Sequence, residues 1–300
     1  MELELWQGAL LIVVGTVGGF LNVMAGGGSL LTVPVMVFMG LPGPVANGTN
    51  RIAILAQNLT AVGIVGGFLN VMAGGGSLLT VPVMVFMGLP GPVANGTNRI
   101  AILAQNLTAI VTFFRRGFAG FKLSVSVAAC ALPGAVVGAL VGTQLDGPWF
   151  NRALAVIMVG VMLVMHFDRG TAQRPEDYQP TSRQLVRGHL LMVAAGFWGG
   201  FIQIGVGFIL MPILNRAMGL DLVRTNMHKV FIIATYTVVA LAIFASRVEI
   251  FWVAGLALAL GNAFGGYLGA HFTVSKGESL VRIVLNIVLV AFIIKLLFSV

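Results

Sequence analysis

Residues 17–61 read VGGFLNVMAGGGSLLTVPVMVFMGLPGPVANGTNRIAILAQNLTA, and residues 65–109 repeat this string letter for letter. Extended backwards, the unit occupies 14–61 and recurs at 62–109, with one mismatch between Thr16 and Ile64. Solenoid repeats are more numerous and more divergent than this, so the pattern indicates a single tandem duplication. Removing one 48-residue copy from the 300-residue chain leaves a 252-residue parent chain, and its pattern decides the fold.

The composition is that of an integral membrane protein. Hydrophobic residues make up 58% of the chain, charged residues only 9%, and the mean hydropathy is +1.00. Soluble proteins carry about 25% charged residues, so a soluble fold is excluded, and the apolar content excludes disorder. The lone cysteine, Cys130, excludes a disulfide scaffold. The net charge of +8 comes from scattered Arg and Lys in short connections, which indicates membrane topology and no nucleic-acid partner.

The parent chain contains ten apolar segments, five in each half. They lie at about 5–25, 26–40, 100–114, 123–145 and 151–167, and then at about 189–205, 206–219, 227–245, 249–271 and 279–298. Most reach the length of about 17–25 residues that a membrane helix needs. The second segment of each half is shorter and begins on glycines, which predicts a discontinuous helix. The predicted fold is all-α and polytopic, with about ten spans in the parent and two more from the duplication.

An older, fainter repeat relates the two halves. Matching residues recur in the same order and at a constant spacing: Pro82 and Pro212, Asn98 and His228, Arg99 and Lys229. Gly134, Gly138 and Gly142 match Gly261, Gly265 and Gly269, again at one constant spacing. Internal halves of this kind are common in secondary transporters. We predict an amino-terminal membrane half at 1–167, which contains the duplication, a cytoplasmic linker at 168–187 and a carboxy-terminal membrane half at 188–300.

The basic residues favour short segments that cross the membrane over ones that turn back. If every segment crosses and the amino terminus is outside, 12 Lys and Arg residues fall inside and five outside, in agreement with the positive-inside rule. A re-entrant short segment would place Arg115, Arg116 and Lys122 on the same face as the amino terminus and would divide the basic clusters of the chain between the two faces. We therefore predict full crossing, a periplasmic amino terminus and two halves of inverted topology in a bacterial inner membrane.

The polar residues suit an anion better than an enzymatic reaction or a cation. No Walker A motif, HExxH motif or paired set of His and Cys metal ligands occurs in the sequence. The sequence therefore predicts no catalytic residues, no metal and no cofactor. Acidic residues occur only in loops and at segment ends, whereas a cation carrier usually keeps a carboxylate within a span.

Two kinds of motif could bind the anion. A helix that starts at a glycine break exposes unpaired N–H groups, and amides with one basic residue, which suit an oxyanion, follow at the start of the next span. Alternatively, the glycines only allow close helix packing, and the amides only cap a helix whose basic residue sets the topology. The predicted binding residues are Gly26, Gly27, Gly28, Ser29, Asn50 and Arg51 in the first copy, Gly74, Gly75, Gly76, Ser77, Asn98 and Arg99 in the second, and Gln203, Gly205, Gly207, Asn226, His228 and Lys229 in the other half.

The stretch GGFLNVMAGGGSLLTVPVMVFMGLPGPVANGTNRIAI, at 18–54 and again at 66–102, resembles the amino-terminal signature of the TauE/SafE sulfite-exporter family. The degenerate copy at 199–229 is similar to it, whereas the tandem duplication departs from the family pattern. The resemblance implies transport of sulfur-containing anions such as sulfite, thiosulfate or organosulfonates across the inner membrane. A passive anion channel and a membrane scaffold or receptor are the alternatives. The expected partners are a small anion and the lipid bilayer, and the sequence leaves open whether the chain forms a homo-oligomer.

Overall fold

A computed structural model of the protein describes residues 29–73, 76–115, 117, 120–145, 147–167 and 180–272. All regular elements in these ranges are helices, so the prediction of an all-α fold is confirmed. In chain order they are α1 (Ser29–Phe38), α2 (Gly43–Ala73), α3 (Ser77–Phe86), α4 (Gly91–Arg115), α5 (Phe121–Gly142), α6 (Gly147–Phe167), α7 (Ser182–Phe201), α8 (Val206–Pro212), α9 (Leu222–Arg247) and α10 (Trp252–Phe272). A π-helical turn, Ile213–Ala217, extends α8.

The chain divides into two compact units, 1–61 and 62–300, and their border is also the border between the two copies of the duplication. The described part of the first unit contains α1 and the beginning of α2, with Met36, Ala46 and Leu59 buried. Residues 52–73, where the end of the first copy joins the start of the second, are helical throughout as part of α2. The second unit contains the second copy and the rest of the parent chain.

Within the described ranges, two helices are long and apolar enough to span a membrane, Phe121–Gly142 and Leu222–Arg247. Shorter apolar helices accompany them, among them Ser77–Phe86 and Val206–Ala217. Large apolar side chains on the outside of the fold, such as Leu190 and Leu260, are about 70% exposed. An apolar exterior of this kind is what a lipid environment requires.

The equivalent third spans of the two halves, α4 and α9, run antiparallel. Phe113 near the end of α4 packs on Val230 near the start of α9. At the other end of the pair, the guanidinium of Arg99 in α4 lies over the ring of Phe244 in α9. Because equivalent helices point in opposite directions, the two halves have the inverted topology that the sequence predicts.

The short segment of the second half returns the chain to the end from which α7 starts. α7 begins beside the start of α5, where His189 Nε2 lies 3.0 Å from Ser126 Oγ, and ends with Phe201 beside Gly142. After α8 and the π turn, Met218 lies against Gly188 near the start of α7. The helical stretch formed by α8 and the π turn spans about 18 Å. It returns the chain from the end of α7 at Phe201 to Gly188 in the second turn of that helix, and whether it crosses the whole membrane stays a prediction.

Helices of one half pack against helices of the other half through glycines that contact the partner helix's backbone. A Cβ at Gly134 or Gly138 of α5 would overlap the carbonyl oxygens of Val193 and Phe197 in α7. The equivalent contact joins α2 and α10, where a Cβ at Gly265 would overlap the carbonyl oxygen of Ile64. Each pair combines a helix from one half with a helix from the other. The regularly spaced glycines that the sequence shows in both halves therefore mark close helix packing between the halves.

The long spans begin earlier than the apolar segments predict. α4 begins at Gly91 with Pro92 in its first turn, where a missing N–H costs no hydrogen bond. α9 begins after Asp221, whose Oδ1 accepts hydrogen bonds of 2.9 Å from the N–H groups of Val223 and Arg224. The repeated pattern of amides and basic residues therefore lies within the first turns of these helices and does not cap them. Similarly, α7 begins at Ser182, inside the predicted linker 168–187.

The arrangement of helix ends predicts which residues share a face of the membrane. In a Cys130→Ser background, we expect Lys122→Cys at the start of α5 and Arg183→Cys at the start of α7 to react with a membrane-impermeant maleimide from the cytoplasmic side. Arg152→Cys and Arg247→Cys, at the start of α6 and the end of α9, should react from the other side. Labelling of Lys122→Cys and Arg183→Cys from opposite sides would show that the assigned helix directions are wrong.

Candidate functional site

Arg99 lies in the third turn of α4 and is fully buried. Its Nη1 donates hydrogen bonds to the carbonyl oxygen of Gly199 (3.1 Å) and to Gln203 Oε1 (3.0 Å), and its Nη2 donates to the carbonyl oxygen of Gly200. The guanidinium carbon lies 4.4 Å from the centre of the Phe244 ring. All these partners belong to the other half, so Arg99 binds the carboxyl end of α7.

Lys229 makes the equivalent contact in the opposite direction. Its Nζ donates to the carbonyl oxygen of Val71 (3.2 Å), in the last turn of α2, and to Asn226 Oδ1 (2.7 Å). The spacing that relates Arg99 to Lys229 also relates Val71 to Phe201 in the other half. The carbonyl oxygen of Phe201 accepts a hydrogen bond of 2.8 Å from Asn95 Nδ2. Each half therefore directs a polar group into the end of the helix that precedes the other half's glycine break.

No carboxylate balances these two basic side chains within the described residues. Those residues include only two acidic side chains, Asp221 and Glu249. Asp221 caps α9 and pairs with Arg224, with 3.2 Å between Asp221 Oδ2 and Arg224 Nε, and Glu249 is exposed. The partners of Arg99 and Lys229 are neutral carbonyl and amide oxygens. A buried basic group without a counterion is costly, so this region is a candidate site for an anion.

Several buried hydrogen-bond donors on α4 and α9, the helices that carry Arg99 and Lys229, have no protein partner. In the described part of the chain they include Arg99 Nε, Asn98 Nδ2, Gln105 Nε2 and Asn226 Nδ2. Unpaired acceptors are also present, at Asn95, Asn106 and Asn262, together with the hydroxyl of Tyr236. Each such group costs about 1–3 kcal/mol when left unpaired, so a polar ligand or water would stabilise this interior.

The glycine break of the second half holds Gln203 in an unusual backbone conformation. Gln203 has a φ of 61°, and Gly205 has a φ of 69°. Non-glycine residues rarely adopt this region, and such strain concentrates at functional sites. The side chain of Gln203 bridges the halves, because its Oε1 accepts from Arg99 and its Nε2 donates to Thr237 Oγ1 at 3.2 Å. Gly207, the third candidate of this break, is buried in α8.

The glycine break of the first half is stabilised by amide side chains. Asn70 Oδ1 accepts from the N–H of Gly76 (3.3 Å), and Asn70 Nδ2 donates to Gln105 Oε1 (3.1 Å). A Cβ at Gly76 would overlap the carbonyl oxygen of Gly66, so glycine is required there. Ser77, the next candidate, is buried as the first residue of α3. The two glycine breaks thus occupy equivalent positions in the two halves, but different polar side chains contact them.

The structure brings some of the predicted binding residues together. Arg99 contacts Gln203, and Asn226 contacts Lys229, but no described contact joins one pair to the other. Asn98 Oδ1 accepts a hydrogen bond of 2.6 Å from Thr80 Oγ1. His228 Nδ1 lies 2.7 Å from Ser124 Oγ.

In the first copy, Asn50 is buried. Gly26, Gly27, Gly28, Gly74 and Gly75 lie outside the described residues, as do the side chains of Ser29 and Arg51.

Sequence reasoning missed several buried polar side chains of the interior. Asn70, Gln105 and Thr237 contact the glycine breaks or the residues bound to them, and Tyr236 packs against Gly199. Their signal was present in the sequence. Each is a polar residue inside an apolar span, and such residues are costly in a membrane and therefore often functional.

Comparison with known proteins agrees with this architecture. The family described as Sulfite exporter TauE/SafE matches residues 59–296. The chain belongs to the TauE/SafE family. The match begins close to the start of the second copy at Val62, the same border that separates the two compact units. The resemblance inferred from the sequence is thereby confirmed, and this member of the TauE/SafE family is a membrane protein of a transporter family.

Several relatives carry the description of probable membrane transporter. The chain is 27% identical over 289 residues to the probable membrane transporter protein ORF9 of a Sinorhizobium species, covering 96% of this chain and 92% of that protein. It is 26% identical over 274 residues to a probable membrane transporter protein of Haemophilus influenzae, covering 91% and 88%. It is 25% identical over 292 residues to YfcA of Escherichia coli K12, covering 97% and 89%. No solved structure matches the chain.

Proposed function

We propose that this TauE/SafE protein is a secondary transporter of a small sulfur-containing anion, of the sulfite, thiosulfate or organosulfonate class, in the bacterial inner membrane. The observation that supports the proposal is the burial of Arg99 and Lys229 without a carboxylate partner in the described residues. An oxyanion would provide the missing negative charge and accept hydrogen bonds from the donors that lack a protein partner.

Arg99 and Lys229 would form two half-sites of one transport path. They occupy equivalent positions in halves of opposite direction, each bound to the end of a helix of the other half. In an inverted repeat, two equivalent places exchange their environments when one half rocks against the other. In one state the anion would enter at one half-site. After the halves rock, it would pass to the other half-site and leave from there on the opposite side of the membrane. The N–H groups at Gly74–Ser77 and Gly205–Gly207 are further ligands in this proposal, for which the N–H of Gly76 would have to release Asn70 Oδ1 and that of Val206 the carbonyl oxygen of Gln203.

The anion preference can be tested by isothermal titration of the purified protein with sulfite, thiosulfate, sulfate, sulfoacetate and taurine. We expect binding of sulfite and sulfoacetate, and at least about tenfold weaker binding of taurine. Taurine and sulfoacetate share a sulfonate group, but the ammonium group of taurine would be repelled by two uncompensated basic side chains. Taurine binding as tight as that of sulfoacetate would contradict a site dominated by Arg99 and Lys229.

Transport and passive conduction are separated by flux measurements in proteoliposomes. A secondary transporter coupled to protons should move sulfite faster when a pH gradient is imposed, whereas a passive channel should show no response. The absence of both binding heat and flux would identify a scaffold or receptor. Either result would replace the proposed function.

A further inference from the structure

A cavity of about 790 Å³ opens at the end of the second unit where α5 and α9 begin. The carboxyl end of α4 forms another wall. The lining combines aromatic rings with polar groups, among them Phe113, Phe121, Phe231, Lys122, Ser124 and His228. Arg224 also lines the cavity and is paired with Asp221. Lys122 is exposed and Phe113 is buried, so a basic group lies at the surface of the cavity and an aromatic ring lies deeper.

The floor of the cavity separates it from Lys229. Ser124 Oγ and His228 Nδ1, 2.7 Å apart, join the first turns of α5 and α9. Beside them, Phe113 packs with Val71 and Val230 in an apolar cluster. Lys229 follows His228 in α9 and binds the carbonyl oxygen of Val71. An anion in the cavity would thus meet Ser124 and His228 first and Lys229 behind them.

The equivalent place at the other end of the fold is filled. The repeat relates α4 to α9 and α5 to α10, so this place lies between the end of α9 and the first turns of α10 and α4. Phe244 and Ile250 are buried there against Gly96. The N–H of Phe251 donates to Thr97 Oγ1 at 3.1 Å. Equivalent helix starts are therefore joined at the two ends, α5 to α9 at one end and α10 to α4 at the other. A cavity precedes the first junction, whereas a packed apolar layer covers the second.

We infer that the cavity is the vestibule through which the anion reaches the Lys229 half-site, with the Ser124–His228 hydrogen bond as the gate at its floor. The layer of Phe244 and Ile250 on Gly96 is the closed gate of the opposite end. This assignment rests on the proposed function, and it adds the side of entry and the residues that control it. While Ser124 and His228 bind each other, α5 and α9 stay together and Lys229 stays shielded from the vestibule.

The open and closed ends can be compared by the reactivity of introduced cysteines in a Cys130→Ser background. Leu123→Cys lines the vestibule and Thr97→Cys lies at the closed end. We expect methanethiosulfonate reagents to modify Leu123→Cys at least about tenfold faster, because a buried site reacts only through local opening. Normalised to a small thiol in solution, the anionic sulfonatoethyl reagent should react faster at Leu123→Cys than the cationic trimethylammonium reagent. Equal rates at Leu123→Cys and Thr97→Cys, or a preference for the cationic reagent, would overturn the assignment.

Protection by sulfite distinguishes failure of the vestibule from failure of the proposed function. Saturating sulfite should slow modification of Leu123→Cys. If sulfite binds to the protein and gives no protection, the vestibule is wrongly assigned while the transporter proposal stands. If sulfite neither binds nor crosses the membrane, the transporter proposal fails and the assignment of this cavity to an anion path fails with it.

The gate itself has a matched control on the same helix. Ser124 contacts His228 on the cavity floor, whereas Ser126, two residues further along α5, contacts His189 at an exposed position. Val230→Cys reports on the apolar cluster behind the gate. In this reporter, Ser124→Ala should raise the rate at which methanethiosulfonate reagents modify Val230→Cys about fivefold, because the variant loses one hydrogen bond of about 1 kcal/mol. Ser126→Ala should leave the rate unchanged, and Ser124→Thr should keep it low. An equal rate in Ser124→Ala and Ser126→Ala would overturn the gate.

Discussion

Replacement of Arg99 by methionine should lower sulfite binding and transport by at least about 30-fold, the equivalent of about 2 kcal/mol. Arg99 is buried, has no carboxylate partner among the described residues and spans the two halves through Gly199 and Gln203. Methionine has a comparable length and no charge, so it would remove the positive charge that the anion compensates. Binding is measured by titration and transport in proteoliposomes, both per molecule of folded protein.

The duplication supplies a matched control for this experiment. Arg51 stands in a stretch of identical sequence. However, Gly199 and Gln203 of the second half already accept hydrogen bonds from Arg99, so Arg51 has no equivalent place there. Arg51→Met should therefore leave binding and transport unchanged. Equal losses in Arg51→Met and Arg99→Met would show that the first copy contributes to the site. Retention of full activity in Arg99→Met would remove Arg99 from the proposed path.

Loss of hydrogen bonds at the end of α7 would also reduce stability in Arg99→Met. The carbonyl groups of Gly199 and Gly200 would lose their donor, at about 1–3 kcal/mol for each buried group left unpaired. Arg99→Lys keeps a basic side chain but lacks the planar fork that reaches both carbonyls and Gln203. We expect Arg99→Lys to retain more binding than Arg99→Met. The reverse order would indicate that the guanidinium acts only as a structural bridge.

Replacement of Gly138 by leucine should prevent assembly of the folded protein. A Cβ there would overlap the backbone carbonyl of Phe197, and a backbone group in the middle of a helix cannot move aside as a side chain can. The cost exceeds the roughly 1–3 kcal/mol of ordinary overpacking. Fluorescence-detected size-exclusion chromatography after graded heating would measure the loss of monodisperse protein.

Gly160 provides the matched control for Gly138. It also lies within a long helix, α6, but a Cβ there would meet nothing within 4 Å. Gly160→Leu should therefore retain the elution profile and thermal stability of the unmodified protein. Similar loss of folded protein in Gly138→Leu and Gly160→Leu would mean that helix flexibility, and not contact between the halves, explains the glycines.

Sequence reasoning succeeded where one-dimensional patterns carry the information. Apolar segments and the constant spacing that relates Arg99 to Lys229 were sufficient for the helical fold, the inverted halves and the two basic positions. The start of α4 was placed too late, because the polar residues of its first turns are buried by the other half and do not face water.

The partners of the basic residues could not be predicted, for a physical reason. Arg99 bonds to carbonyl oxygens of Gly199 and Gly200, and every residue has such an oxygen, so no side-chain pattern identifies them. The contact depends on where α7 ends relative to α4, which is set by glycine packing between distant helices. Asn70 and Gln105 could have been found as amides inside apolar spans, but their pairing with each other could not.

The packing of helices from one half against helices from the other also constrains the order in which the chain assembles during synthesis. The glycine surface of α5 is covered by α7, and the glycines of α2 are covered by α10, the last described helix. When the first half leaves the ribosome, it therefore carries small-residue surfaces whose partners have not yet been made. The nascent protein must keep these surfaces among lipids until the second half arrives, and a chain that terminates early would remain an incomplete set of helices and not a half-sized transporter.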